Sequence, residues 1–305
     1  MKKVLLGTTA LLMSAGVAAA DVAVSGDGRM GIIDGFGDTV DAGFTSRIRI
    51  AFSASGETDA GLSFGGGIRA DNSIGGASGT AGSVFIEGAF GKITMGDVSG
   101  AAEAAVGDVS GVGLTGLGDF NEMTYLSNNT DVDDTDFDDN TFAAVRPVAR
   151  YEYSFGDGTI YASIGNPGGN TPGGDDIESY AVGGDYTFGD FTIALGWETL
   201  SAGGFDADHA VGGLTWAFGD ATLKATYGDS SDLDLTQWMV SGDYVIGATT
   251  LTAYYSDVEI GALAVDADGF GLGAAYDLGG GASIKAGYAD FGGADAFDFG
   301  VSMSF

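Results

Sequence analysis

The sequence predicts an all-β protein, a 16-stranded antiparallel transmembrane β-barrel, from three observations. Glycine supplies 56 of the 305 residues and proline only three, against an ordinary glycine share of about 7%. Collagen and disordered chains with that much glycine need abundant proline or low hydrophobicity, and this chain is 45% hydrophobic. A turn motif recurs as YSFGDG (153–158), YTFGDF (186–191), WAFGDA (216–221), YVIGAT (244–249) and YDLGGG (276–281), and its glycines Gly156, Gly189, Gly219, Gly247 and Gly279 lie 33, 30, 28 and 32 residues apart. A period near thirty fits one hairpin of two ten-residue strands, a tight turn and a longer loop. Between the turns the chain alternates. In FTIALGWETL, Phe191, Ile193, Leu195 and Trp197 share one face while Thr192, Ala194, Gly196 and Glu198 share the other, the period-two signature of a strand with one apolar side.

In chain order, residues 1–20 (MKKVLLGTTALLMSAGVAAA) place Lys2 and Lys3 before an uncharged apolar run that ends in Ala18, Ala19 and Ala20, the pattern of an export signal peptide. Cleavage before Asp21 removes both lysines, turning a net charge of −32 over 305 residues into one near −34 over 285. Strands are predicted at 22–34, 44–55, 61–71, 82–90 and 92–97. The first sets Arg29 against Met30 and Ile32, the second sets Arg47 and Arg49 against Ile48, Ile50 and Phe52, and the third sets Arg69 against Phe64 and Ile68. Four arginines on the non-apolar face of three adjoining strands make a positive wall. Gly91 to Gly156 then spans 65 residues, where the other adjacent turn glycines lie 28 to 33 apart, so this hairpin carries about 35 surplus residues, and loops of that length are usually functional or disordered. The surplus, residues 98–147, follows Asp97 and contains Glu103, Asp108, Asp119 and Glu122.

Further strands are predicted at 148–155, 159–165, 178–188, 191–200, 207–218, 221–228, 234–246, 249–258, 265–278, 282–290 and 295–305. Tight turns alternate with longer loops, so the tight turns and both ends fall on one side and the strand number is even, as in single-chain outer-membrane barrels. The last strand puts Phe297, Phe299, Val301, Met303 and Phe305 on one face. Lipid is expected to cover that stripe, and pairing with the first strand to leave no open edge.

No stretch after residue 20 approaches the 18 or more apolar residues of a membrane helix, but a barrel strand needs only about 9 to 11 residues with alternate positions apolar. Soluble sandwiches alternate too. Here, aromatics crowd the short turns (Phe155, Tyr186, Phe188, Trp216, Phe218, Tyr244, Tyr276), while Arg150, Lys224 and Lys285 join the four arginines on the opposite face. An interfacial aromatic girdle around a watery interior explains both. Sixteen strands leave an open channel, where eight are filled by side chains. The absence of cysteine excludes disulfide staples, thiol chemistry and thiolate metal sites. The single histidine, His209, lies in FDADHAVGG without a nucleophile motif. No catalytic residue is assigned and His209 is read as lining a wall or loop.

The alanine-rich leader ahead of DVAVSGDGRMGI, the short turns and the terminal phenylalanine resemble the general porins of Gram-negative outer membranes, especially the alphaproteobacterial type. The likeness is densest in SGDGRMGI, SRIRIAFSASGETDAGLSFGGGIRA, VFIEGAFGKITMGD and GLGAAYDLGGGASI. The resemblance implies a homotrimer of barrels in the outer membrane, bounded by lipid and lipopolysaccharide, through which small hydrophilic solutes diffuse. It also implies that the long third loop folds into the lumen, with GDVSGAAEAAVGDVSGVG narrowing the pore. The basic wall of Arg29, Arg47, Arg49 and Arg69 would then face the acidic residues Asp97, Glu103, Asp108, Asp119 and Glu122 across a constriction that sorts solutes by size and charge. The same arginines could instead pair with Asp27, Asp71 or Glu87 and stiffen the wall.

Two motifs are weaker. GVGLTG (111–116) matches a dinucleotide fingerprint but has no strand before it or helix after it, so it is read as coincidence in a glycine-rich chain. DVDDTDFDDN (131–140) could hold calcium through Asp131, Asp133, Asp134, Asp136 and Asp138. It is no EF-hand, since counting from Asp134 puts Asp139 at the turn glycine and Val145 at the twelfth position, and such runs are more often solvated loops. Two alternatives to a general diffusion channel stay open. One is a substrate-specific outer-membrane channel, against which the scarcity of inward aromatics counts, and the other is a surface adhesin-type β-protein. Neither enzymatic activity nor a nucleic-acid partner is expected.

Overall fold

The computed structural model describes residues 21–35, 42–73, 76–79, 82–127, 148–165, 177–202, 204–261 and 264–305. The strands are β1 (Asp21–Asp34), β2 (Gly43–Glu57), β3 (Ser63–Ser73), β4 (Gly76–Gly79), β5 (Ser83–Gly88), β6 (Gly91–Gly96), β7 (Val148–Phe155), β8 (Gly158–Gly165), β9 (Ile177–Phe188), β10 (Phe191–Ala202), β11 (Phe205–Phe218), β12 (Ala221–Ser230), β13 (Leu235–Ile246), β14 (Thr249–Ile260), β15 (Val265–Gly279), β16 (Ala282–Phe291) and β17 (Ala294–Ser304). One helix, α1 (Ala101–Val106), follows β6. Successive strands pair antiparallel all the way round, and β1 pairs with both β2 and β17, so the sheet closes on itself. β4 and β5 share one edge of β3, with a one-residue register slip between Ala70↔Gly79 and Gly67↔Ser83. They are two halves of one interrupted strand, and the barrel has sixteen. The strand predicted at 82–90 therefore starts earlier and breaks in the middle, and the helix was not foreseen.

The short turns follow from their glycines. Gly156, Gly189, Gly219 and Gly247 have φ between 57° and 65°, and the residues after them do not appear among those with positive φ. Glycine at the first central position is what a type II′ hairpin requires. Each turn is also tied to the next hairpin: Thr187, Ala217 and Val245 donate their amides to the carbonyls of Asp157, Asp190 and Asp220, each at 2.9 Å. The closing seam uses the last residue, since Phe305 and Gly26 exchange two backbone hydrogen bonds of 2.9 and 2.7 Å.

Large apolar side chains stay exposed around the ring, from Met30 (56%) on β1 through Leu195 (65%) on β10 to Phe299 (51%) on β17. A soluble monomer exposes only a few hundred Å² of contiguous apolar surface; a surface apolar on every strand is built for hydrocarbon. Aromatics form two tiers on it. Near the short turns Phe188, Phe191, Trp216 and Phe218 stack in series at centroid distances of 5.8, 5.5 and 4.1 Å. Nearer the loop ends, Trp238 meets Tyr255 at 5.2 Å and Phe270 meets Tyr288 at 6.0 Å. The sequence reading found only the first tier.

The buried apolar core lies elsewhere. Ala101, Ala102, Val106, Val109, Val112, Leu117, Met123 and Tyr125, all between β6 and β7, pack with Ala181, Ala194, Val211, Met239, Tyr254, Ala289 and Ala296 from the other face of the strands.

Candidate functional site

Residues 98–127 lie along the polar face of the barrel wall, touching strands from β8 through β17 to β1. The stretch AAEAAV is rich in the best helix former and makes the short helix α1, which has no side-chain cap because Gly100 precedes it. The wall supplies the missing acceptor: Ser163 Oγ on β8 takes the Ala101 amide at 2.9 Å. Ala101 and Ala102 are fully buried, resting on glycines of neighbouring strands. A Cβ added to Gly183 would come 2.5 Å from the Ala101 carbonyl oxygen, and one on Gly196 would come 2.8 Å from Ala102 Cα. Further along, Val112 and Leu114 lie over Gly273 and Gly300, and Gly113 over Gly287. The wall's glycines serve turns, as expected, and also clear a bed for this segment.

Wall side chains then capture its backbone. Asp298 on β17 accepts the Leu114 amide (2.9 and 2.8 Å), the Thr115 amide (2.6 Å) and the Thr115 hydroxyl (2.8 Å). Gly113, at φ 83°, has no room for a Cβ, which would lie 2.5 Å from Asp298 Oδ1. GVGLTG does therefore present amides to an anion, and the anion is the chain's own carboxylate. At the far end Glu198 on β10 accepts the Leu126 amide (2.6 Å), the Ser127 amide (3.0 Å) and hydroxyl (2.5 Å), and hydrogen-bonds His209 Nδ1 at 2.9 Å. Both the Glu198 and His209 side chains are fully buried. Between these ends, Gln237 accepts the Thr124 amide and donates to the Glu122 carbonyl, Ser110 donates to Asp243, and Lys224 donates to the Val106 carbonyl. Charge-assisted hydrogen bonds of this kind are worth about 1.5–3 kcal/mol each, so the segment is held at several points.

The four predicted arginines do share one arc, in two roles. Arg49 and Arg69, on β2 and β3, clamp Asp71 from both sides at 2.8 Å, and Arg47 pairs with Asp27 at 3.5 Å. Arg29 on β1 instead reaches the segment itself, donating to the Leu114 and Thr115 carbonyls at 3.4 and 3.3 Å. Asp27 and Asp71 are thus the wall carboxylates that meet arginines. Glu87 stands opposite Lys92 in the strand register.

The five predicted acids are not equivalent. Asp97 lies just past β6, its amide bonded to the Gly82 carbonyl, and Glu103 occupies the first turn of α1. Asp108 turns back into its own segment to accept the Met123 amide at 2.9 Å. Burial holds its carboxyl above the usual range, against the pull of that amide and of Lys224. Asp119 adopts a left-handed φ of 50° in a turn that also binds the Glu122 amide, and Glu122 is exposed. Tyr125, nearly fully buried, donates to the Gly107 carbonyl at 3.2 Å, and burial pushes its phenol up. Asp131, Asp133, Asp134, Asp136 and Asp138 lie outside the described residues, as do residues 1–20. Among the described residues no group of three or more potential ligands could hold a metal ion.

Asp298, Glu198 and Gln237 were missed by the sequence reading. Their one signal was a lone polar residue on an otherwise small-residue face, as in ALGWETL and AFDFGV.

Three comparisons bear on this architecture. A family profile described as Gram-negative porin matches residues 7–296. The chain is 36% identical over 296 residues to a porin of Rhodobacter capsulatus, covering 88% of this chain and 94% of that one. It is 25% identical over 301 residues to a porin of Fuscovulum blasticum, covering 92% of this chain and 100% of that one. Among solved structures, a porin refined at 1.8 Å superposes with a TM-score of 0.77 at 33% identity over 93% of this chain and 100% of that one.

Proposed function

The chain belongs to the Gram-negative porin family, and from that premise we propose that its barrel is a passive diffusion pore for ions and small hydrophilic solutes, narrowed by residues 98–127 against an arginine wall. That it is an outer-membrane porin channel and not an enzyme follows from the family itself.

One observation carries the finer reading. A single segment makes contact with Ser163 on β8, Glu198 on β10, Lys224 on β12, Gln237 and Asp243 on β13, Asp298 on β17 and Arg29 on β1. A segment this short reaches so many strands of a closed ring from within, where their polar faces converge. It takes up the β8-to-β1 side of the lumen and leaves Arg47, Arg49 and Arg69 on the open side. Fixed charge of one sign on the free wall, opposite loop carboxylates such as Asp119 and Glu122, sets a field across the remaining passage.

The carboxylate partners Asp27 and Asp71 weaken that field, with four arginines to two acids in this arc. Residues 1–20 are read as the export signal and the assembled protein as a trimer in contact with lipopolysaccharide, both on the strength of the family. Planar-bilayer recording tests the proposal. Discrete conductance steps are expected, with conductance falling as added sugars grow small enough to enter, and the reversal potential in a salt gradient gives the sign of selectivity. An absence of steps, or indifference to sugar size, defeats it.

A further inference from the structure

Eight lysines and arginines are described: Arg29, Arg47, Arg49, Arg69, Lys92, Arg150, Lys224 and Lys285. Arg47, Arg49 and Arg69 meet Asp27 or Asp71, Lys92 and Arg150 meet Glu152, and Lys224 is bound by the Val106 carbonyl. Three cations have no carboxylate within ion-pair distance among the described residues, Arg29, Lys224 and Lys285, and of these Lys224 is held by the Val106 carbonyl. Among the described residues Arg29 makes only two long bonds, through Nη1, and its buried Nε has no partner.

The strand register brings Arg29 and Lys285 together. Ser283 on β16 faces Ser302 on β17, which faces Arg29 on β1, and Lys285 lies one inward position along from Ser283. Directly opposed side chains have Cβ atoms about 5 Å apart, so Arg29 lies two strand steps and one inward position from Lys285, with the two hydroxyls between them. The strand positions beside Lys285 are Ala275 and Gly300, and the Leu114 side chain of the seated segment lies over Gly300. Neither serine hydroxyl is bonded to a described residue. The neighbouring carboxylates are engaged: Asp298 holds the Leu114 and Thr115 amides, and Asp277, opposite Ser283, accepts the Gly279 amide at 2.7 Å.

We propose that Lys285, Arg29, Ser283 and Ser302 form an oxyanion-binding patch on the lumen wall, taking the carboxylate or phosphate group of a permeating solute beside the seated loop. The inference rests on the diffusion-pore reading and adds to it a docking point that extends the arginine arc from Arg29, opposite Arg47, to Lys285. Ammonium and guanidinium supply charge and the serines supply donors, the combination that suits a tetrahedral or planar oxyanion.

The test uses the full-length protein in planar bilayers, with chloride as the carrier and inorganic phosphate as the probe. Phosphate is expected to lower single-channel chloride conductance saturably. Lys285→Gln should raise the half-effective phosphate concentration about tenfold, Ser302→Ala should raise it less, and Lys92→Gln, which removes one equal charge elsewhere, should leave it in place. A non-saturating phosphate effect, or equal shifts from Lys285→Gln and Lys92→Gln, overturns the patch while the pore stands. Loss of channel steps in the wild type overturns both.

Discussion

Asp298 directs its charge at the backbone of one short stretch and pairs with no arginine among the described residues. It has four hydrogen-bond contacts with Leu114 and Thr115, and its side chain is buried. Removing a buried acceptor leaves its donors unsatisfied, at about 1–3 kcal/mol each. Asp298→Ala should therefore loosen the middle of the segment without dissolving the barrel, whose ladder does not depend on it. Single-channel records should show larger current fluctuations and a raised mean conductance, with Asp298→Asn between the two. Records indistinguishable from wild type would remove Asp298 as an anchor. Asp108 gives a second residue-level expectation. Its carboxyl titrates above the usual range because it is desolvated, so the folded state holds that proton more tightly than the unfolded chain does. Stability from this group is therefore highest below the ordinary carboxylate pKa and declines as pH rises through the raised value. Asp108→Asn should flatten that part of the pH dependence of the thermal midpoint in detergent above about pH 4, and an unchanged slope would contradict the assignment.

At the scale of elements, α1 and the wall beneath it are complementary in a way neither has alone. Six residues make too short a helix to persist unaided, since isolated helices under about 12 residues are marginal in water. The helix lasts because its alanines meet Gly183 on β9 and Gly196 on β10, close enough for backbone to touch backbone, while Val106 meets Gly213 on β11. Gly196→Val sets its Cβ 2.8 Å from Ala102 Cα and 3.0 Å from Val211 Cγ2, where no flexible side chain can yield. The helix should be displaced into the passage, cutting conductance by roughly half or more, since overpacking costs about 1–3 kcal/mol. Gly213→Ala is the milder control, because its nearest atom is a Val106 methyl at 3.1 Å. Equal conductance in Gly196→Val and wild type would show that the helix does not border the passage.

For the whole molecule, closure converts a strand pattern into a compartment. Once β1 pairs with β17, the polar face has no outlet except the two ends, and every charge on it acts on the same column of water. On the proposed reading the arginine arc acts on that column although three of its four members are ion-paired. Arg47→Ser or Arg49→Ser leaves Asp27 uncompensated in the first case and Asp71 half-compensated in the second. Either change should move the reversal potential toward cation preference, by about twofold or more in permeability ratio, while heat-modifiable folded protein still forms. Unaltered selectivity in both variants would mean that the arginines only brace the wall.

The sequence by itself determined the barrel. Alternation, turn glycines and their spacing are local signals, because each strand meets the same two environments all along its length, and so sixteen strands, their order and their greasy side could be read one hairpin at a time. It also marked the long interruption and the arginine face. What only the tertiary structure decided was which residue meets which across the interior. Glu198 and His209 are eleven residues apart in sequence and belong to one hairpin, yet Glu198's other partners, Leu126 and Ser127, lie 72 and 71 residues away. Asp298 and Leu114 are separated by 184. Such pairings depend on ring closure and on glycines vacating space on strands distant in sequence, and a pattern of period two carries no record of what lies opposite.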